Sequence, residues 1–329
     1  MTPRARLSIL DFCRIYEGQT PGESMANSVE LAQQAEAQGV HRVWYTEHHN
    51  MPNITSSSPA VLIAHIAAHT TSIRLGAGGI MLPNHAPYVI AEQFGTLAEL
   101  HPGRIDLGLG RAPGTDQNTL GRALRRDGQA AERFPEDIRE LQGYFSGRSL
   151  IPGVQAIPGR GTNVPLYVLG SSLFGASLAA KYGLPYAFAS HFAPTHLEAA
   201  TAYYREHFEP SEYLDAPYII AGVNVLASHS AESAAAEWER VRFNWVKGFV
   251  GRDRYLTDSQ VTQIMASYQG QQILDMLQYS AVGTGAQVAE YLDGIEKLSG
   301  ADELMISLQA THHAGVLDSL QLLTEAWAV

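Results

Sequence analysis

A single cysteine, Cys13, stands in the 329 residues, so no disulfide can close within the chain. That excludes a cysteine-stapled secreted module and agrees with a reducing, cytoplasmic setting. Basic residues are scarce too: 22 Lys and Arg face 33 Asp and Glu, for a net charge of −11. A surface of that sign repels phosphate backbones and anionic headgroups, so neither nucleic acid nor membrane is expected as a partner. Apolar stretches such as 59–68 are too short and too punctuated to span a bilayer. Met1-Thr2-Pro3-Arg4-Ala5-Arg6 leads into a short strand pattern, not into the apolar core of a signal peptide. Low-complexity blocks and clean short repeats are missing. No Gly-x-Gly-x-x-Gly follows a strand and no Walker lysine pattern occurs, which sets aside a Rossmann dinucleotide site and a P-loop.

What is present is a long alternation. Hydrophobic residues make up 45% of the chain, enough for one large core. Strand patterns fall at 7–13, 42–46, 73–79, 104–110, 165–170, 186–190, 218–227 and 303–309. Amphipathic helical patterns follow at 24–38, 59–70, 87–100, 130–144, 173–182, 195–208 and 316–328. Prolines at 59 and 87 open two of these helices, and Gly39 closes the first. Strands that each feed a helix predict a parallel sheet, and this count predicts an α/β protein with a closed (β/α)8 TIM barrel as a single domain over 1–329. The tract between strands seven and eight exceeds a minimal unit. It reads as helices at 232–246, 258–268, 271–280 and 286–298, with 247–257 as an exposed connection. An insertion over about 230–282 is expected to be either a lid or a packing or dimerisation element.

In a barrel, chemistry belongs at the C-terminal strand ends. There the chain carries Asp11 and Cys13, Glu47-His48-His49, Gly78-Gly79, Gly110-Arg111, Gly170-Ser171-Ser172, Ser190-His191 and Asn224. The Glu-His-His run is costly to bury without partners, which points it at a cleft. Glycines at a rim let a flat ligand approach the backbone. Around Ser171, Ser172 and Gly175 a strand runs directly into a helix. Free N–H groups and hydroxyls there make an anion cradle, to which Arg111 adds a guanidinium. Ordinary N-capping would account for the serines as well. His65 and His69, four apart on one helix, could share a metal, but an exterior helix argues against it; His312-His313 follows strand eight as a rim element, and Glu92 and Glu99 read as solvated or pairing charges. Phe12, Met81, Phe188, Phe192 and the insertion are expected to line a partly apolar pocket.

Several of these segments together resemble the bacterial luciferase-like flavin monooxygenases. They are Glu47-His48-His49, the run from Leu75 through Gly78-Gly79 to Pro83 with His85 and Pro87, and the run from His101 to Arg111. Gly170-Ser171-Ser172 and Tyr182-Gly183-Leu184-Pro185 complete the set. The likeness extends from strand one to strand eight and is weaker in the insertion. It implies FMN at the C-terminal mouth, with O2 as co-substrate and a small, partly apolar organic substrate oxygenated by reduced flavin from a separate flavin reductase. By position it implies that His48 moves protons near the flavin, oriented by or paired with Glu47. Gly78-Gly79 falls where the family often has a cis peptide beneath the ring system. Arg111, Ser172 and the Gly175 amide match the phosphate positions, beside Ser171, and Ser190 with His191 would edge flavin or substrate. The light-emitting enzyme carries a reactive cysteine at the end of strand four, where this chain has Gly110. That places the chain in the non-luminous branch, as a cytoplasmic homodimer. Alternatives are an F420-dependent hydride-transferring oxidoreductase and a non-catalytic flavin-binding protein.

Overall fold

The computed structural model describes residues 4–251 and 256–328. In chain order the elements are β1 (Arg6–Asp11), α1 (Pro21–Ala37), β2 (Arg42–Tyr45), α2 (Pro59–Ala67), β3 (Arg74–Met81), α3 (Pro87–Leu100), β4 (Ile105–Gly110) and α4 (Phe134–Ser146). Then come β5 (Leu166–Gly170), α5 (Leu173–Tyr182), β6 (Tyr186–Phe188), α6 (Leu197–Glu206), β7 (Ile219–Ala227), α7 (Ala231–Val250), α8 (Asp258–Met265) and α9 (Tyr268–Asp275). The chain finishes with β8 (Ser280–Gly283), α10 (Gly285–Ser299), β9 (Glu303–Leu308) and α11 (His313–Trp327).

Every strand pairing is parallel, in the order β6-β5-β4-β3-β2-β1-β9-β7, and β6 meets β7 to close an eight-stranded barrel. The (β/α)8 architecture expected from the alternation is therefore the observed one. One strand escaped the sequence: Ser280–Gly283, of which only Ser280 fell in the helix expected over 271–280, pairs with the last residues of β7 from Asn224 to Ala227. Four residues are too few to show a period of two. Helix α7 also runs on to Val250, and 252–255, in the expected connection 247–257, lie outside the described residues.

Local chemistry sets the element ends. Thr20 and Glu23 form a reciprocal capping box on α1, with Pro21 in its first turn; Thr284 and Gln287 do the same for α10. The main core lies between barrel and helices and includes Ile9, Val43, Leu75, Phe94, Leu107, Val168, Ala221 and Ile306. Alternate strand positions point into the barrel, where Leu10, Trp44, Tyr167, Ala187, Ile220 and Met305 pack together. The N-terminal ends of β2, β4 and β9 hold a charged plug. Buried Arg42 lies 2.8 Å from Asp106 and 3.0 Å from Glu303, Arg74 also grips Asp106, and the Tyr218 hydroxyl donates to Glu303 at 2.6 Å. Deleting one member would strand a buried charge, at a cost of about 3–5 kcal/mol. This end of the barrel is closed, which leaves the opposite mouth for ligands.

Candidate active site

The run after β2 divides by its hydrogen bonds: Glu47 and His49 meet each other, while His48 bonds to Thr46. Glu47 is fully buried. Its Oε1 accepts from His49 Nε2 and His85 Nε2, each at 2.8 Å, and its Oε2 accepts the Met81 amide at 2.9 Å. Burial alone would raise this carboxyl, but these hydrogen bonds and the His85 charge outweigh it and hold the group at about 2. An ionised carboxylate only accepts, so both imidazoles donate from Nε2. The expected pairing of Glu47 with His48 is thus corrected. Glu47 ties the β2 end to the β3 end, and its carboxylate accepts from His49, His85 and the Met81 amide.

His48 is held by hydroxyls. Its Nδ1 lies 3.1 Å from Thr46 Oγ1, which lies 2.8 Å from Ser56 Oγ, and Ser56 donates to the Phe12 carbonyl at 3.2 Å. Proton bookkeeping fixes the direction. Ser56 has one hydrogen and gives it to a carbonyl, so Thr46 must donate to Ser56 and His48 must donate from Nδ1 to Thr46. The neutral ring then carries its lone pair on Nε2. The Phe12 ring stacks on the imidazole with centroids 5.7 Å apart, and meets His191 edge-on at 6.2 Å. His191 is buried with its Nδ1 unpartnered. Burial first, then the charges of Arg14 and His48, lower it to about 4, so it is neutral at ordinary pH.

The bond between Gly78 and Gly79 is cis, at a register shift between β3 and β4. The reason for glycine here is packing. A Cβ on Gly78 would sit 2.8 Å from Leu10 Cδ1 and 2.9 Å from Trp44 Cβ, and one on Gly79 only 2.6 Å from the Gly108 carbonyl oxygen. The barrel itself, not a ligand, fills the space a side chain would need.

On the far side of β3, the structure brings the expected anion cradle together. Ser172 is the N-cap of α5, yet its side chain makes no capping bond, so ordinary capping does not account for it. The Arg111 guanidinium lies 4.0 Å over the ring of Phe174 in the first turn of that helix. Gly175 is buried beside Gly170, with a Cβ position 3.2 Å from the Tyr186 ring; Tyr186 in turn donates to the Ser172 carbonyl at 3.1 Å. Ser171 is half-buried at the same turn. Exposed hydroxyl, helix amides and a guanidinium without a carboxylate partner among the described residues suit a phosphate.

Two expected residues sit elsewhere. Ser190 is fully buried and donates its hydroxyl to the Gly222 carbonyl at 2.6 Å, which locks β6 to β7 behind His191. Phe188 packs in the main core against Tyr186 and does not line the mouth. Phe192, 43% exposed, stacks on Phe249 of α7 at 6.5 Å, and this contact joins the insertion to the rim. The insertion has its own small core of Val246, Leu256, Val261, Leu274 and Leu277. His312 caps α11 and His313 pairs with Glu30, so both are structural. The sequence missed Thr46, Ser56 and the role of His85; the last was discernible only as part of the run around Gly78-Gly79.

Comparison with known proteins follows the same outline. A family model described as luciferase-like monooxygenase matches residues 6–303. A luciferase-like monooxygenase of Escherichia coli (strain K12) is 43% identical over 317 residues, covering 96% of this chain and 95% of its own. The solved structure of apo-MsnO8 superposes with a TM-score of 0.88 at 30% identity, covering 99% of each chain. The oxygenating constituent of 3,6-diketocamphane monooxygenase from Pseudomonas putida, solved in complex with FMN, is alike in fold, with a TM-score of 0.70 at 16% identity, covering 99% of this chain and 98% of its own.

Proposed function

Because the chain belongs to the luciferase-like monooxygenase family, we propose that it uses reduced FMN and O2 to oxygenate a small, partly apolar organic substrate at the C-terminal mouth of the barrel. The observation that carries this reading is the convergence on one rim of a phosphate cradle and a proton-handling histidine. Arg111 over Phe174, the uncommitted Ser172 hydroxyl and the α5 amides would hold the phosphate, with Ser171 beside them. A flavin anchored there would extend over Gly78-Gly79 toward His48. Bound flavin would supply the electrons and the site of oxygen activation.

The residues of the chain do the rest. His48, fixed by Thr46 and Ser56, takes or returns a proton at Nε2. Glu47 holds His49, His85 and the Met81 amide as a rigid frame and is a positioning residue. Ser190, buried and bonded to the Gly222 carbonyl, stiffens the wall behind His191. Phe12, Phe192 and Phe249 offer apolar walls that exclude water. The insertion acts as a lid. Reduced flavin comes from a separate reductase, since the sequence carries no dinucleotide fingerprint. The working state is a cytoplasmic homodimer.

Anaerobic titration with reduced FMN, followed by mixing with oxygen, tests this. Saturable binding tighter for reduced than for oxidised FMN, with oxygen consumption that rises when a substrate is added, is expected. Absence of FMN binding in both redox states refutes it, and binding of F420 in its place would move the chain to hydride transfer.

A further inference from the structure

Arg14, just beyond β1, is one of nine arginines among the described residues that make no ion pair there. Arg4, Arg42, Arg74, Arg133, Arg148, Arg205, Arg240 and Arg242 each pair with an acid. Arg14 is half-buried, and among the described residues no carboxylate lies within ion-pair distance of it. Its guanidinium rests 5.3 Å over the Phe12 ring, the ring that also stacks on His48. The groups around it are uncharged or already engaged. Asp11 accepts the Cys13 amide at 2.7 Å and the Cys13 thiol at 3.7 Å, and burial pushes its carboxyl upward. Burial pushes the Tyr16 phenol up to about 12, and His191 is neutral. A guanidinium stays protonated in such surroundings, and its lost hydration is only partly offset by Tyr16 and the Asp11 carboxyl, which lies beyond ion-pair distance.

Position decides what could offset it. Arg111 follows β4 and Arg14 follows β1, with Gly78-Gly79 of β3 and His48 after β2 between them on the rim. Both guanidiniums lie on a phenyl face with no acid partner. If Arg111 and the α5 start hold the cofactor phosphate as proposed, Arg14, on the opposite side of His48, would be available to a second molecule. We infer that Arg14 anchors a carboxylate of the substrate, so that the enzyme acts on a small organic acid whose apolar part lies along Phe12. The inference rests on the mouth being the active site, as proposed above. A planar carboxylate accepts two parallel N–H bonds from a guanidinium, and the apolar ring beneath strengthens them by excluding water.

The test uses flavin-free protein labelled with 15N-histidine. Hexanoate, benzoate and phenylacetate, each beside its methyl ester, are titrated while the His48 and His191 imidazole signals are followed. Saturable shifts are expected for at least one acid, with its ester at least about ten-fold weaker, the scale of one charge-assisted contact. Arg14→Met should erase the preference for acid over ester; Arg14→Gln gives a second reading if that variant does not fold. Equal binding of acid and ester, an undiminished preference in a folded Arg14 variant, or no saturation by any acid overturns the proposal. So does loss of FMN binding in Arg14→Met with wild-type binding intact, which would assign Arg14 to the cofactor. Failure of the wild-type chain to bind FMN would strike the flavin reading alone, since the acid preference is measured without flavin.

Discussion

Replacing Thr46 by Val removes the acceptor that dictates the protonation pattern of His48 and leaves the size of the side chain nearly unchanged. In the native chain the Nδ1–H bond to Thr46 Oγ1, backed by the Thr46–Ser56–Phe12 relay, selects the tautomer with its lone pair on Nε2. An imidazole N–H that loses this acceptor in a half-buried setting costs about 1–3 kcal/mol. The ratio of the two neutral tautomers should therefore swing by at least about five-fold toward Nε2–H. Long-range 1H–15N spectra of 15N-histidine-labelled protein read this directly above the ordinary histidine range, where the imidazoles are neutral. His48→Gln assigns the signal. Wild type should show a pyrrole-type Nδ1 and a pyridine-type Nε2; Thr46→Val should invert or mix them; Thr46→Ser, which keeps the hydroxyl, should restore the wild-type pattern. If wild-type His48 already carries its proton on Nε2, or if Thr46→Val changes nothing, the relay does not control the ring and the assignment of Nε2 as the proton-handling atom fails.

Three further outcomes follow from the same geometry. The Glu47 carboxyl is held at about 2 against an ordinary 4.5, so it stabilises the fold fully above about pH 4.5 and loses that contribution as pH falls toward 2. The gap is worth about 3 kcal/mol, and urea melts across this range should show Glu47→Gln less stable than wild type at neutral pH with the difference closing in acid; a pH-independent difference would contradict it. Arg111→Met should weaken FMN binding at least about ten-fold and leave riboflavin, which has no phosphate, unaffected; an equal loss for both flavins would place Arg111 against the ring system. Gly76→Ala would put a Cβ 2.7 Å from the Asp106 carbonyl oxygen and 2.8 Å from Trp44 Nε1, a clash costing about 1–3 kcal/mol, visible as a lowered melting temperature; a variant as stable as wild type would show that β3 can move away from β4.

What the sequence revealed and what it hid divide along a physical line. Helices over Pro87–Leu100 and Leu173–Tyr182 could be bounded to the residue, because a proline opens one and a glycine closes the other. The barrel was legible because each strand-helix unit repeats the same alternation, and the rim residues were legible because strand ends are where parallel barrels place ligands. The short strand Ser280–Gly283 was not, since the strand it pairs with is the edge of β7 left uncovered above β6.

Side-chain partnerships were the larger loss. His85 reaches Glu47 across 38 residues, and Thr46 reaches Ser56 across 10, in each case because loops from neighbouring strand ends fold onto one rim. Common residue types at arbitrary spacing leave no pattern to read. The consequence is sharpest within Glu47-His48-His49, where adjacency suggested one cooperating unit. Hydrogen bonding splits it: Glu47 and His49 turn toward His85 and brace the rim, while His48 turns toward Phe12 and the hydroxyl pair. Loss of Glu47 should therefore be felt first as stability and loss of Thr46 as protonation of His48. Two neighbouring residues act on different properties of one site because their side chains engage different partners, Glu47 with His49 and His85 and Thr46 with His48 and Ser56.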